Sequence, residues 1–226
     1  MGRQLTKQNN ILANEHVFIA GRTGTGKTWL ARKYLAGNFK NVVVLDTKGT
    51  FTWPEVPAED QTLVERLTKI DAVTTPKIIY RPAWEELNMD YYNEFFKWAY
   101  RRRNTIVLVD EAMSICPNPQ VIPEYLKAIM TRGRELGVAA WNASQRPSGL
   151  PQVLISEATH IFCFDLNLAA DRDKIAKITG YDDFYIKPSH RTGADRYSFY
   201  YFRADVDSPP VVAKIVERQA ERQVKT

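Results

Sequence analysis

The chain has 226 residues, with 31 Lys and Arg against 26 Asp and Glu, a formal charge of +5, and 44% apolar and 25% charged residues. This is the composition of an ordinary folded domain, and the length accommodates one α/β domain or barrel while excluding two full-sized domains. A compact domain of this length has a radius of gyration of about 17 Å, enough to lie beside a DNA duplex and too little to surround one; the modest charge permits a nucleic-acid partner without demanding it.

The N-terminal segment Met1–Lys7 lacks the apolar stretch of a secretory signal, which argues for a cytoplasmic location. It matches the short myristoylation pattern through Gly2 and Thr6, a pattern loose enough to arise by accident. The first strand is expected at His16–Ala20. It runs into Gly21-Arg22-Thr23-Gly24-Thr25-Gly26-Lys27-Thr28, which fits the Walker A pattern G-x-x-x-x-G-K-[ST] at every required position, and the helical pattern Lys27–Leu35 leaves it. Glycines let backbone N–H groups converge on phosphate oxygens, and the following helix adds its positive end. Lys27 is expected to reach the β- and γ-phosphates of ATP, and the Thr28 hydroxyl to ligate Mg²⁺. Trp29 is expected to pack in the core, with a place beside the nucleotide as the alternative.

A second strand, Val42–Asp46, ends in the turn Asp46-Thr47-Lys48-Gly49, where Lys48 either points toward the nucleotide or stabilises the turn. Pro54–Asp60 reads as a surface loop, Ile78–Arg81 as a strand and Tyr91–Arg101 as an aromatic-rich helix. That helix closes on Arg101-Arg102-Arg103, a cluster suited to a helix C-terminus and also to a DNA backbone. The strand Thr105–Asp110 ends in Asp110-Glu111. An acid at this position holds the metal's water shell, and a directly following glutamate can act as general base on water. A kinase has no need of such a glutamate, so the pair points to hydrolysis.

Pro117–Pro119 reads as a loop and Val121–Thr131 as a helix. Arg132 and Arg134 then precede the strand Val138–Ser144, whose tip carries Gln145, an amide suited to sensing a γ-phosphate. Further on come a strand at His160–Asp165 and a helix at Leu168–Thr179. Phe184–Lys187 and Tyr197–Arg203 are expected to form a hairpin across the loop Pro188–Arg196, followed by a final helix, Val211–Gln223. Short apolar strands alternating with helices predict a mainly parallel sheet covered on both faces. The longest apolar runs, such as Val42–Leu45, are too short for a transmembrane helix. Cys116 and Cys163 lack metal-ligand spacing and read as reduced thiols. His16, His160 and His190 read as structural or solvated, and Trp53, Trp84 and Trp141 as packing residues.

No N-K-x-D guanine signature, L-S-G-G-Q element or helical lid accompanies the loop. Together, the Gly21–Thr28 loop, the Asp46–Gly49 turn, the Asp110-Glu111 strand and the Arg134…Gly137…Gln145-Arg146-Pro147 block resemble the FtsK–HerA superfamily of DNA-pumping ATPases over about residues 16–165. Within it, the short chain resembles the genome-packaging ATPases of membrane-containing icosahedral viruses.

The resemblance implies a RecA-like P-loop core in a single domain over 1–226, with the C-terminal hairpin and helix at about 184–223. It implies a homo-oligomeric ring, expected as a hexamer, that hydrolyses ATP with Mg²⁺ and moves double-stranded DNA. A capsid-vertex or inner-membrane protein is a further partner it suggests, and a virion-associated location goes with it. Gln145 maps onto the family's sensor. Arg134, with Arg132 next, maps onto an arginine finger delivered to the neighbouring subunit. The alternatives are an assembly or secretion ATPase that moves protein, a plasmid or chromosome pump of the same superfamily, and a nucleotide-dependent binding switch with little hydrolysis.

Overall fold

The computed structural model describes residues 11–193 and 197–215. In chain order its elements are β1 (Val17–Ala20), α1 (Lys27–Asn38), β2 (Val42–Leu45), β3 (Gln61–Val64), β4 (Lys77–Tyr80), α2 (Met89–Arg102), β5 (Thr105–Val109) and α3 (Glu124–Arg132). Then follow β6 (Val138–Ser144), α4 (Val153–Ser156), β7 (His160–Phe164), α5 (Ala169–Thr179), α6 (Pro188–Thr192), β8 (Ser198–Arg203) and β9 (Val211–Lys214). The strands form one nine-stranded sheet in the order β3-β4-β2-β5-β6-β1-β7-β8-β9. Every pairing from β3 to β7 is parallel, and β8 and β9 add antiparallel at the far edge. This is the α/β, RecA-like P-loop fold with a mainly parallel sheet.

Alternation along each strand sends neighbouring residues to opposite faces. Phe18, Ala20, Val43 and Leu45 join a core with Phe95 and Phe96 of α2, Leu126 and Ile129 of α3 and Ile175 of α5. Val17, Ile19, Val42 and Val44 join a second core with Ala31 and Leu35 of α1 and with Phe51 and Trp53. Both faces are therefore dry, which is why these strands read as continuous apolar runs.

The order of strands places β2, β5, β6 and β1 side by side, all parallel, so their C-terminal ends open onto one edge. The opposite edge is occupied by structural polar contacts. The His160 imidazole lies between the Tyr201 hydroxyl (2.8 Å) and the Glu15 carboxylate (2.9 Å). His16 Nδ1 accepts from the Ala140 N–H at 3.0 Å, and burial, with Arg134 nearby, holds its pKa down at about 4. Lys77 donates to the carbonyls of Leu35 (2.8 Å) and Phe39, closing the end of α1, and lies over the Trp53 ring. His16 and His160 are thus structural, as the sequence suggested.

The sequence misses β3. Gln61–Val64 is a half-exposed edge strand whose Leu63 faces solvent, so it lacks the apolar run that marks its neighbours.

The C-terminal region departs further from expectation. Phe184 belongs to a 3-10 turn and plugs against Tyr200 and Phe202, and 188–192 is the short helix α6. The hairpin partner of β8 is β9, not 184–187. Val211–Lys214, expected to open a helix, is an edge strand, because the β-branched Val211 and Val212 suit the open side of β8. Residues 216–223 of the expected helix, 194–196 of the expected loop, and the N-terminal pattern at Gly2 and Thr6 lie outside the described residues.

The arginine cluster at 101–103 closes α2 with Arg101 and Arg103 exposed, while the Arg102 guanidinium covers the Trp98 ring at 5.1 Å. Cys116 and Cys163 are buried and unbridged. Trp53 and Trp141 are packing residues, each at most 2% exposed, whereas Trp84 is 85% exposed and does not pack as expected.

Candidate nucleotide site

The loop from β1 to α1 turns through Gly24 and Gly26, at φ of +77° and +103°. These are left-handed values that glycine adopts without penalty. A Cβ on Gly26 would also stand 2.8 Å from the Ile215 side chain, so the end of β9 sits directly on the loop. Gly26 caps α1 without a side-chain hydrogen bond, and no acid occupies the helix's first turn. The leading amides of a twelve-residue helix are thereby left for an anion.

Lys27 is buried in the loop it follows, where its ammonium donates to the carbonyls of Gly21 (2.6 Å) and Arg22 (3.1 Å). Burial lowers its pKa to about 8, with Lys48 pushing in the same direction and Glu111 and Asp110 opposing. The Thr28 hydroxyl donates to Asp110 Oδ1 at 2.7 Å. Burial raises the Asp110 pKa, against the pull of Thr28, Lys48 and Lys27.

Above them a chain of contacts runs across four neighbouring strand ends. Lys48, after β2, donates to Glu111 Oε2 at 2.9 Å. Gln145, at the tip of β6, donates to the same oxygen at 3.1 Å. Thr23, in the loop after β1, donates to Gln145 Oε1 at 2.7 Å. The order β2, β5, β6, β1 of the network is the order of the strands in the sheet. The turn that carries Lys48 is itself fixed, since Asp46 accepts from the Thr50 and Phe51 amides and from Arg81. The other oxygen of Glu111, Oε1, is buried without a hydrogen-bond partner.

These groups line a cleft of about 630 Å³, whose wall includes Thr23, Gly26, Lys27, Thr28, Lys48, Asp110 and Gln145. Trp29 also lines it, half-buried and outside both cores, so it does not pack in the core as expected. Tyr197 and Ile215 complete the wall from the β8–β9 side, and nothing in the sequence marked them. Their signal is the closeness of Ile215 to Gly26, which exists only after folding. Of the two roles the sequence left open, Lys48 takes the one that faces the cleft; the turn is held by Asp46, and Lys48 pairs instead with Glu111.

The donor set suits a hard cation held with a nucleotide: Thr28 and Asp110 offer oxygen ligands side by side at the cleft wall. Among the described residues no group of three or more His, Cys, Asp or Glu could hold a metal ion by itself. Any cation here would therefore lean on the phosphates of its ligand.

Arg134 is not brought to this cleft. It lies at the opposite edge of the sheet, before β6, where it donates to Thr159 Oγ1 (2.6 Å) and to the Glu157 carbonyl (3.2 Å). Arg132, at the end of α3, is exposed near it. Arg22 and Arg146 border a smaller hollow beside Gln145, where Arg146 pairs with the buried Asp171 at 3.3 Å.

No family model matches the chain. It is 22% identical to Protein P9 of Pseudoalteromonas phage PM2 over 169 residues, covering 74% of this chain and 76% of that protein. Its fold is similar to that of the genome packaging NTPase B204 from Sulfolobus turreted icosahedral virus 2, solved with AMPPCP. The TM-score is 0.71 at 14% identity, over 91% of this chain and all of the other. It is also similar to the cytoplasmic domain of the Type VII secretion ATPase EccC from Thermomonospora curvata. There the TM-score is 0.60 at 18% identity, over 91% of this chain and 26% of that one. Among the described residues no helix is long and apolar enough to cross a membrane.

Proposed function

We propose that the chain is an ATP-hydrolysing motor that translocates double-stranded DNA, packaging a viral genome into a preformed capsid. The observation that carries the catalytic part is the cleft itself. It joins a phosphate-binding loop and a Thr28–Asp110 pair at adjacent strand ends, with Glu111 held by two residues of its wall, Lys48 and Gln145. The packaging part is supported by the fold match to the genome packaging NTPase B204, which extends over most of this chain and all of the other, and the viral setting by the match to a phage protein.

In this reading the amides of the Gly21–Thr28 loop and Lys27 hold the phosphates of ATP. On binding, the Lys27 ammonium exchanges the Gly21 and Arg22 carbonyls for phosphate oxygens. Thr28 and Asp110 would hold Mg²⁺, which neutralises charge on the phosphates when bound. Glu111 takes a proton from the attacking water. Gln145, tied to Thr23 on one side and Glu111 on the other, is the sensor that can feel loss of the terminal phosphate. Arg134, with Arg132 as the next candidate, is the finger offered to a neighbouring subunit. A finger of this kind is worth roughly 10³–10⁵ in rate where measured.

A domain this small encloses no duplex alone, so a ring of copies, expected as a hexamer, completes the motor; a capsid-vertex or inner-membrane protein is a further expected partner. The similarity to EccC favours a second reading, an ATPase that moves protein.

One experiment tests both readings: ATP turnover with and without duplex DNA across a range of protein concentration. Turnover that rises with DNA and with concentration supports the motor. Turnover indifferent to DNA moves the assignment to the protein-moving class, and absent turnover to a nucleotide-dependent switch. Mixing Arg134→Ala with Glu111→Ala subunits should restore some activity if the finger acts in trans; no recovery removes that role.

A further inference from the structure

The end of α2 carries an arginine where the backbone favours glycine. Arg103, just past the helix, sits at φ +57° and ψ 163°, close to a region that only glycine enters freely. Asn104 follows at φ +41°, which a short amide side chain tolerates. This backbone is clamped on three sides. The Arg103 carbonyl accepts from the Thr105 hydroxyl at 2.7 Å, and the Asn104 carbonyl accepts from the Asn41 amide nitrogen at 3.2 Å. The Asn104 N–H donates to the Leu136 carbonyl at 3.3 Å. Gly137 completes the joint, since a Cβ there would stand 2.4 Å from Asn104 Oδ1.

The helix dipole accounts for Arg101 and Arg102 in the last turn of α2. It does not account for Arg103, because glycine there would relieve the backbone and keep every one of these hydrogen bonds. The clamp presents an arginine from a fixed piece of backbone. Arg101, Arg103 and Lys40, which adjoins Asn41, are exposed, and none of them forms an ion pair among the described residues. Arg102 differs, since its guanidinium covers the Trp98 ring. Glu135, in the turn that leads to Gly137, is the nearby acid. No large apolar side chain is exposed in residues 38–41 or 97–104. The patch therefore offers charge without the apolar contact that a membrane surface or a protein hot spot uses.

We infer that Arg101 and Arg103, with Lys40 beside them, grip the phosphate backbone of duplex DNA at the N-terminal edge of the sheet. This rests on the DNA reading above and places the contact away from the nucleotide cleft, which opens at the C-terminal edge. Guanidiniums without an acidic partner pair with phosphates bidentately and release their counterions. Contact with the backbone alone reads no sequence, as a motor that must pass every sequence requires.

The test is the anisotropy of a labelled duplex of about 30 base pairs, titrated with the full chain between about 50 and 200 mM salt. The proteins are wild type, Arg103→Gly, Arg101→Gln, their double variant, Arg102→Gln and Arg66→Gln. The last removes the same charge from an exposed pair with Glu85 at the opposite edge. The double variant should bind about tenfold more weakly at the lowest salt, and each arginine removed should flatten the slope of log K against log salt by about 0.9. Arg102→Gln and Arg66→Gln should bind like wild type. Arg103→Gly should melt at the wild-type temperature or above it, because it relieves the backbone.

Unchanged DNA affinity in the double variant overturns the inference, and a lower melting temperature for Arg103→Gly would then make that arginine a structural residue. Equal weakening in every variant means diffuse attraction by net charge and overturns it as well. A wild type that binds no duplex at any salt refutes the DNA reading itself, and that result is visible before any variant is made.

Discussion

The two edges of the parallel sheet use the same residue types for opposite ends. At the N-terminal edge His16, His160, Glu15 and Lys77 are buried and bonded to backbone or to one another. At the C-terminal edge Lys27, Glu111 and Asp110 are just as buried, yet their partners are ones a ligand can replace. Lys27 rests on loop carbonyls, and one oxygen of Glu111 has no partner. Burial of charge is tolerated on both sides, but only the C-terminal edge surrounds a cleft with it. A perturbed lysine therefore says little by itself: Lys77 and Lys27 are both lowered to about 8, chiefly by burial, and only one lines the cleft.

This contrast is open to direct attack, and the largest effect belongs to the cleft. Glu111→Gln should lower ATP turnover by about 10²–10⁴, the usual range for loss of a general base, while the protein still binds nucleotide and melts normally. Normal turnover in that variant would remove Glu111 as the base. The matching lesion at the other edge should do the reverse. His160→Phe leaves Glu15 and Tyr201 without their shared partner, and should cost about 2–4 kcal/mol of unfolding free energy. Its affinity for AMPPCP should stay within about twofold of wild type, because distant sites act nearly independently. A large loss of affinity with stability unchanged would show that the two edges are not separate.

What could be read in advance follows the same divide. The loop, Asp110-Glu111 and Gln145 were legible because chemistry fixes residue type and spacing at strand ends, and the apolar strands were legible because both sheet faces are dry. The edges of the sheet were not. Gln61–Val64 carries no apolar run, and Val211–Lys214 is a strand only because β8 offers it a partner far away in sequence. The residues on the cleft's apolar side were missed for the same reason: Tyr197 and Ile215 reach the loop through antiparallel pairing that no local pattern announces. Lys48 was half legible, since the turn was visible but its grip on Glu111 depends on β2 lying beside β5.

That apolar side gives a smaller effect. Tyr197→Ala removes an aromatic surface from the wall of the cleft without touching the phosphate groups. It should weaken AMPPCP about tenfold, the scale of one lost aromatic contact, and leave inorganic triphosphate binding unchanged. Equal losses for both ligands would mean that Tyr197 supports the loop and does not contact the base.

The last effect comes from Lys27 and pH. Its pKa is lowered to about 8, mainly by burial, and phosphate oxygens in place of carbonyls must raise it. The triphosphate therefore prefers the protonated lysine. Affinity should be flat below pH 8 and fall above it, by up to about tenfold per unit, until the pKa of the bound form is reached. The guanidinium of Lys27→Arg stays charged throughout, so whatever affinity that variant keeps should lose the decline. Lys48 also faces the ligand, and Lys48→Ala should lower affinity overall while preserving the bend near pH 8. A bend that vanished with Lys48 and survived Lys27→Arg would assign the titrating cation to the wall of the cleft, with the loop lysine only a structural tie. The C-terminal edge would then resemble the N-terminal one more closely than its geometry suggests.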